Sequence, residues 1–376
     1  MKRISSAVKP SWRALTRATL ALLVTTTLVV PHVAQACTSF LLPTSDGDSV
    51  YGRTMEFAFD LESQAIVVPR NFALAASGPD NKPGMKWNSK YAAVGMNALG
   101  VGSLIDGMNE KGLAGGILYF PENAAYADPA KADPAKSLAP WDFLTWALTS
   151  FATVEEAKAA LGDVVVIDLV QEQMKITPPV HYTLHDATGA SIVIEPIGGT
   201  LKVYDNPTTV MTNSPPFDWH MTNLRNYVKL SVYEAEPMKV RDMTINPPAG
   251  VGSGMLGIPG DPTAPSRFIR AFAYLKSAAP VKSGIESVRL AEHILNNFDL
   301  PKGYIREKDQ GRPDMLDYTQ WSTIADLKNG QYYVKTYEDP TLRSVSLRDF
   351  DLDAKTITAA PMHAPVTPPA LEFAKP

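Results

Sequence analysis

From Thr38 onward the chain alternates apolar and polar positions in two blocks, with helical periodicity between and after them. Thr38–Pro43 and Ser49–Thr54 alternate on either side of Thr44-Ser-Asp-Gly-Asp48, whose turn chemistry predicts a hairpin. Further strands are expected at Ser63–Val68, Tyr91–Met96, Val101–Asp106 and Leu113–Tyr119. A Pro- and Ala-rich loop from Pro121 to Pro140 separates these from a helix over Trp141–Phe151. Thr153-Val-Glu-Glu156 has capping-box spacing and opens a second helix running to about Leu161. A second extended block covers His181–His185, Ala190–Pro196, Leu201–Tyr204 and Thr208–Thr212. Two longer helices follow at Ser266–Ser277 and Gly284–Asn297, and the tail returns to strands near Trp321–Asp326, Gln331–Tyr337 and Ser344–Arg348. Two blocks of antiparallel-looking strands with few helices predict an α+β layered fold. No repeat is visible and no linker is long enough to divide residues 37–376, which read as a single domain.

The first 36 residues follow a different pattern. Lys2, Arg3, Lys9, Arg13 and Arg17 precede an apolar stretch from Ala18 to Val33, and Ala34 and Ala36 occupy the −3 and −1 positions of a cleavage signal. The segment reads as a signal peptide removed before Cys37 by a signal peptidase, leaving an exported, periplasmic protein. No later segment approaches 18 uninterrupted apolar residues, so no stable membrane insertion is expected. Without its five basic residues the chain keeps 30 basic against 39 acidic side chains, a formal charge of −9. That acidity argues against nucleic acid as a partner. The 45% hydrophobic content fits a buried globular enzyme better than disorder.

Cys37 is the only cysteine, so no internal disulfide can form even where one would be tolerated. Cleavage before it would put a thiol and a free α-amine on one residue. With a thiol pKa of about 8.5 and an α-amine of about 7.7–8.0, part of the amine is unprotonated near neutrality. It can take the thiol proton and return it to a leaving nitrogen. Donors are then needed at the developing oxyanion, and a cation beside sulfur favours thiolate. A hairpin turning near Gly47 brings Arg53 back beside Cys37.

Cys37-Thr-Ser-Phe, Gly52-Arg-Thr-Met-Glu56, Met108-Asn-Glu-Lys-Gly-Leu113, Thr212-Asn-Ser-Pro215 and Pro265-Ser-Arg-Phe268 occur in that order. Together they resemble the choloylglycine hydrolase family of conjugated bile salt hydrolases and penicillin V acylases, nearest its exported Gram-negative penicillin V acylase-like branch. The resemblance covers roughly the whole chain beyond the leader. It implies a four-layer αββα sandwich of the N-terminal nucleophile hydrolase type, often tetrameric, so a homotetramer is carried over. It also implies roles: Cys37 as nucleophile with its α-amine as base, Arg53 beside sulfur, Asn213 as oxyanion amide and Arg267 as second active-site arginine. Where the family usually has aspartate to orient the α-amine, this chain has Glu56, one methylene longer. Where bile salt hydrolases have asparagine, it has Tyr119, which resembles the penicillin V acylase side. Phe57, Phe59 and Tyr119 are the expected acyl-pocket residues.

These expectations compete with plainer ones. Cys37 could carry a lipoprotein anchor, although Ala34 fits a lipobox poorly. Arg53 and Glu56 could be a surface pair, Asn213 an ordinary turn residue, and Arg267 a solvated helix arginine. His181 and His185 lack a third ligand for a metal, Gly252–Gly260 lacks a phosphate loop's lysine, and no Gly-x-Ser-x-Gly elbow is present. The expected reaction is hydrolysis of a linear amide through a Cys37 thioester, without metal or cofactor. Its substrate would be a small molecule with an acyl group on a polar amine: penicillin V, an N-acyl homoserine lactone or a conjugated bile salt. A lipid-anchored periplasmic binding protein is the alternative of another class.

Overall fold

The computed structural model describes residues 36–307, 314–362 and 367–371. The expected leader lies outside these, apart from Ala36. Two antiparallel sheets stack face to face. The first runs, in spatial order, Val210–Met211, Thr38–Pro43, Ser49–Phe57, Met315–Asp326, Gln331–Thr336 and Arg343–Ser346, with Ile305–Glu307 paired to Met315–Asp326. The second runs Thr200–Asp205, Ser191–Ile197, Val180–His185, Ala114–Tyr119, Asp106–Asn109, Ala93–Met96, Gln64–Val68 and Thr358–Pro361. Helices Ala264–Ser277 and Ile285–Leu295 pack on the first sheet, and Phe143–Ser150 packs on the second. This is the expected α+β, four-layer αββα sandwich, with one continuous hydrophobic core running through it.

The first hairpin forms where the turn residues place it. Thr44 donates its hydroxyl to Asp46 at 2.7 Å and accepts from Asp48 N at 3.0 Å. Gly47 takes φ +79°, a left-handed conformation that suits glycine. The register pairs Thr38 with Thr54 and Ser39 with Arg53. Period-2 alternation then sends Tyr51, Arg53, Met55 and Phe57 to the face covered by the second sheet, while Thr54 and Glu56 point toward the helices. The helix at 154 starts as its capping spacing predicts: Thr153 accepts from Glu156 N at 3.2 Å, and the Glu156 carboxylate accepts from Ala152 N at 2.8 Å.

Some expected elements differ. Val101–Ile105 is not strand; the strand there is Asp106–Asn109. Leu99 and Gly100 both take positive φ, and Leu104 N donates to the Thr145 hydroxyl at 2.7 Å, so this stretch satisfies its backbone outside a ladder. Helix Phe217–Leu224 and the hairpin Ala73–Ser77 with Pro83–Asn88 were not expected. The helix follows Pro215 and Pro216 and buries only Phe217 and His220, too thin a stripe to show in the pattern.

Candidate active site

Cys37 stands just ahead of the first strand, buried between the sheets. Arg53 crosses beneath it, also fully buried. Its Nη2 donates to Cys37 Sγ at 3.7 Å and to the Ile117 carbonyl, and its Nη1 donates to the Ile105 carbonyl at 2.6 Å. Met55 Sδ lies 3.8 Å from both Cys37 Sγ and Arg53 Nη2. The guanidinium sits over the Trp321 ring, 5.4 Å from its centroid. Gly116 makes room for this arrangement. A Cβ there would lie 2.6 Å from the Tyr51 hydroxyl and 3.0 Å from Arg53 Nη1. Burial alone would drain the guanidinium's charge, but Cys37 and Asp106 beside it outweigh burial and hold its pKa above the ordinary value.

Arg267 reaches the same residue from the helix side. In the first turn of Ala264–Ser277, its Nη1 donates to the Cys37 carbonyl and to the Thr38 hydroxyl at 2.9 Å, and its Nη2 to Asn213 Oδ1 at 2.7 Å. Burial pulls its pKa down to about 10, so it remains a cation at neutral pH. Asn213 follows the short strand Val210–Met211, whose pairing of Met211 with Ser39 brings it to the Cys37 end of the sheet. Its Nδ2 donates one hydrogen to the Tyr119 carbonyl at 2.8 Å. A carboxamide carries two such hydrogens.

Glu56 is on the opposite face of the strand from the Cys37 thiol. Its Oε1 accepts from the Thr319 hydroxyl at 2.8 Å, and its Oε2 finds no hydrogen-bond partner among the described residues. Burial pushes its pKa up to about 8, against the pull of Arg267, Thr319 and Thr54. Ala36 is still attached here, so Cys37 N is a peptide nitrogen rather than an amine.

The Cys37 thiol opens on a largely apolar cleft. Met55, Phe57, Leu61, Ile117, Tyr119 and Met174 are among its walls. Phe59 is not on its lining; at 36% exposed it stacks edge-on against Phe57 with centroids 4.6 Å apart. So the structure gathers Cys37, Arg53, Asn213 and Arg267, places Glu56 behind them, sets Phe57 and Tyr119 in the cleft, and leaves Phe59 at its margin. Neither Arg53 and Glu56 on a surface nor Arg267 in solvent survives this burial.

The sequence reading missed several contributors. Met55 was legible in principle, because alternation from Arg53 puts it on the same face. Cleft residues Leu61, Ala98, Leu99, Val101, Met174 and Pro178 lie on loops with no local signal. A buried clamp also holds the Asn213 backbone: His181 Nε2 bonds the Thr212 carbonyl at 3.0 Å, and His220 Nε2 bonds the Asn213 carbonyl at 2.9 Å. His220 stacks on Phe268, and burial lowers its pKa to about 4, so it is neutral and its Nε2–H donates. Among the described residues no group of three or more His, Cys, Asp or Glu side chains is placed to hold a metal ion, and no helix is long and apolar enough to cross a membrane.

The chain is similar to known proteins. Residues 37–359 match the family described as linear amide C–N hydrolases, choloylglycine hydrolase family. The bile salt hydrolase/transferase of Clostridium perfringens is 35% identical over 326 residues, 85% of this chain and 95% of that protein. The penicillin V acylase of Pectobacterium atrosepticum is 30% identical over 354 residues, covering 88% of this chain and 84% of that one. Among solved structures, a mutant of the conjugated bile acid hydrolase from Clostridium perfringens superposes with a TM-score of 0.77 at 31% identity, over 89% of this chain and all of that one. Penicillin V acylase from Agrobacterium tumefaciens gives 0.70 at 25% identity, over 87% and 92% of the two chains. The fold is thus that of the N-terminal nucleophile hydrolases, and the chain belongs to the choloylglycine hydrolase family of linear amide C–N hydrolases.

Proposed function

We propose that the protein is exported, cut before Cys37, and then hydrolyses small N-acyl amides with Cys37 as nucleophile. One observation carries this reading: the chain's only thiol faces a largely apolar cleft with a buried guanidinium 3.7 Å from sulfur. The α-amine freed by cleavage takes the thiol proton as sulfur attacks the acyl carbonyl. Asn213's second amide hydrogen meets the developing oxyanion, and Arg267 holds that amide in place through Oδ1. As the intermediate collapses, the C–N bond breaks and the α-ammonium gives its proton to the leaving amine. Water then attacks the thioester, passing a proton to the α-amine. The carboxylic acid leaves and the thiol is restored. Glu56, on the side of the strand opposite the thiol, carries the charge that steadies the new ammonium. No step requires a metal or cofactor.

The substrate class follows from the cleft. Met55, Phe57, Leu61 and Met174 suit an aryloxyacetyl or fatty acyl group, with thioethers that adapt to its shape. We propose penicillin V and N-acyl homoserine lactones as substrates, with Tyr119 in the wall against the acyl group. Conjugated bile salts are the second reading, favoured by similarity to the Clostridium perfringens bile salt hydrolase/transferase. A kcat/KM comparison of penicillin V, a long-chain acyl homoserine lactone and glycocholate separates them. The proposal expects the first two to exceed glycocholate by at least tenfold, and a preference for glycocholate reverses the assignment. Lipid on Cys37 would block both sulfur and amine, and an intact mass with added lipid would end the catalytic reading.

A further inference from the structure

Behind Arg53 lies a carboxylate that the reaction above does not use. Asp106 opens a strand of the second sheet and is fully buried. It receives three hydroxyls, all from the first sheet: Tyr51 on Oδ2 at 2.8 Å, Thr323 on Oδ1 at 2.8 Å and Tyr332 on Oδ1 at 2.6 Å. Its Oδ2 also lies 3.6 Å from Arg53 Nη1. Burial, then the charge of Asp106, holds both phenols well above the ordinary tyrosine pKa, so they remain donors. The guanidinium and the thiol are thus backed by a buried carboxylate that three hydroxyls hold in place.

We propose that Asp106 is a positioning residue for the nucleophile: it pins the Arg53 guanidinium against Cys37 Sγ and balances the positive charge that the thiol meets. A lone buried guanidinium beside a thiol would overstabilise thiolate, and a less basic thiolate is a weaker nucleophile. With Asp106 in place, sulfur faces a pair of nearly zero net charge, and its proton leaves mainly through the α-amine. The remaining titratable groups around this pair are few. His185, with its ring 5.3 Å from Tyr51, is kept neutral by burial, which lowers its pKa to about 3. Glu56 and Arg267 lie across the strand. Asp106 also joins the sheets through its hydroxyl bonds, and a purely structural role would consist of that alone.

The proposal rests on Cys37 being the nucleophile, and its test keeps the two apart. The measurement is the pH dependence of iodoacetamide alkylation at Cys37 in the mature protein, read by mass. Asp106→Asn removes the charge and should lower the alkylation midpoint by about one unit, while Asp106→Glu should restore it toward wild type. A folded Asp106→Asn protein with an unchanged midpoint overturns the proposal. Should Asp106→Asn fail to fold, the pair is removed together with Arg53→Gln. Recovery of the fold in the double variant supports charge compensation. No recovery assigns Asp106 to holding the sheets together and overturns the proposal equally. Acylase activity surviving in Cys37→Ser would instead sink the nucleophile reading, and it would leave the alkylation comparison intact.

Discussion

At the scale of single residues, Glu56 departs far from ordinary carboxylate chemistry. A carboxylate sealed behind a strand, with one oxygen lacking a hydrogen-bond partner among the described residues, holds its proton to about pH 8. Its folded pKa exceeds the unfolded value, so its stabilising contribution is complete below about pH 4.5. That contribution is lost as pH rises toward 8. In a form that keeps Ala36, stability should therefore fall between about pH 4.5 and 8, by an amount on the order of a few kcal/mol. Glu56→Gln should flatten that slope. Cleavage adds a cation at Cys37 N, which favours the carboxylate and should move the loss to lower pH. Denaturant unfolding of cut and uncut proteins across this range reads the effect, and identical pH slopes in wild type and Glu56→Gln contradict it.

At the scale of elements, register does most of the positioning. The hairpin sets Arg53 opposite Ser39, two residues beyond Cys37, and this juxtaposition was legible from the turn residues alone. Asn213 and Arg267 were not legible locally. A turn sequence and a helix N-terminus say nothing about meeting, and only the resemblance of ordered motifs brought them together. Asp106 was read as the end of a strand when it begins one, so its inward direction could not be inferred. Helix Phe217–Leu224 escaped notice, yet its His220 fixes the carbonyl of Asn213. His220→Phe keeps the stack on Phe268 but removes the donor. It should lower kcat about tenfold or more with KM little changed, and His220→Gln should recover part of the loss. Equal kcat in all three proteins would show that the clamp does not position the amide.

At the scale of the whole molecule, the sandwich brings together residues separated by more than 200 positions, from Cys37 to Arg267. The strand blocks and the nucleophile hairpin could be read from periodicity and turns, whereas the four-layer class came only from the family resemblance of the ordered motifs. The cleft could be read only in part: Phe57 and Tyr119 stand on strands beside the motifs, whereas Leu61, Leu99 and Met174 come from loops whose course depends on the packed core. The account nevertheless turns on one chemical event, the exposure of an α-amine on Cys37. The most direct measurement is penicillin V hydrolysis by two purified forms, one beginning at Cys37 and one retaining a single alanine before it. Both keep the thiol, Arg53, Asn213, Arg267 and the cleft, and they differ in whether the base exists. The account predicts that the alanine-extended form is slower by about 100-fold or more in kcat, the usual worth of a positioned general base. Equal rates in the two forms would contradict it.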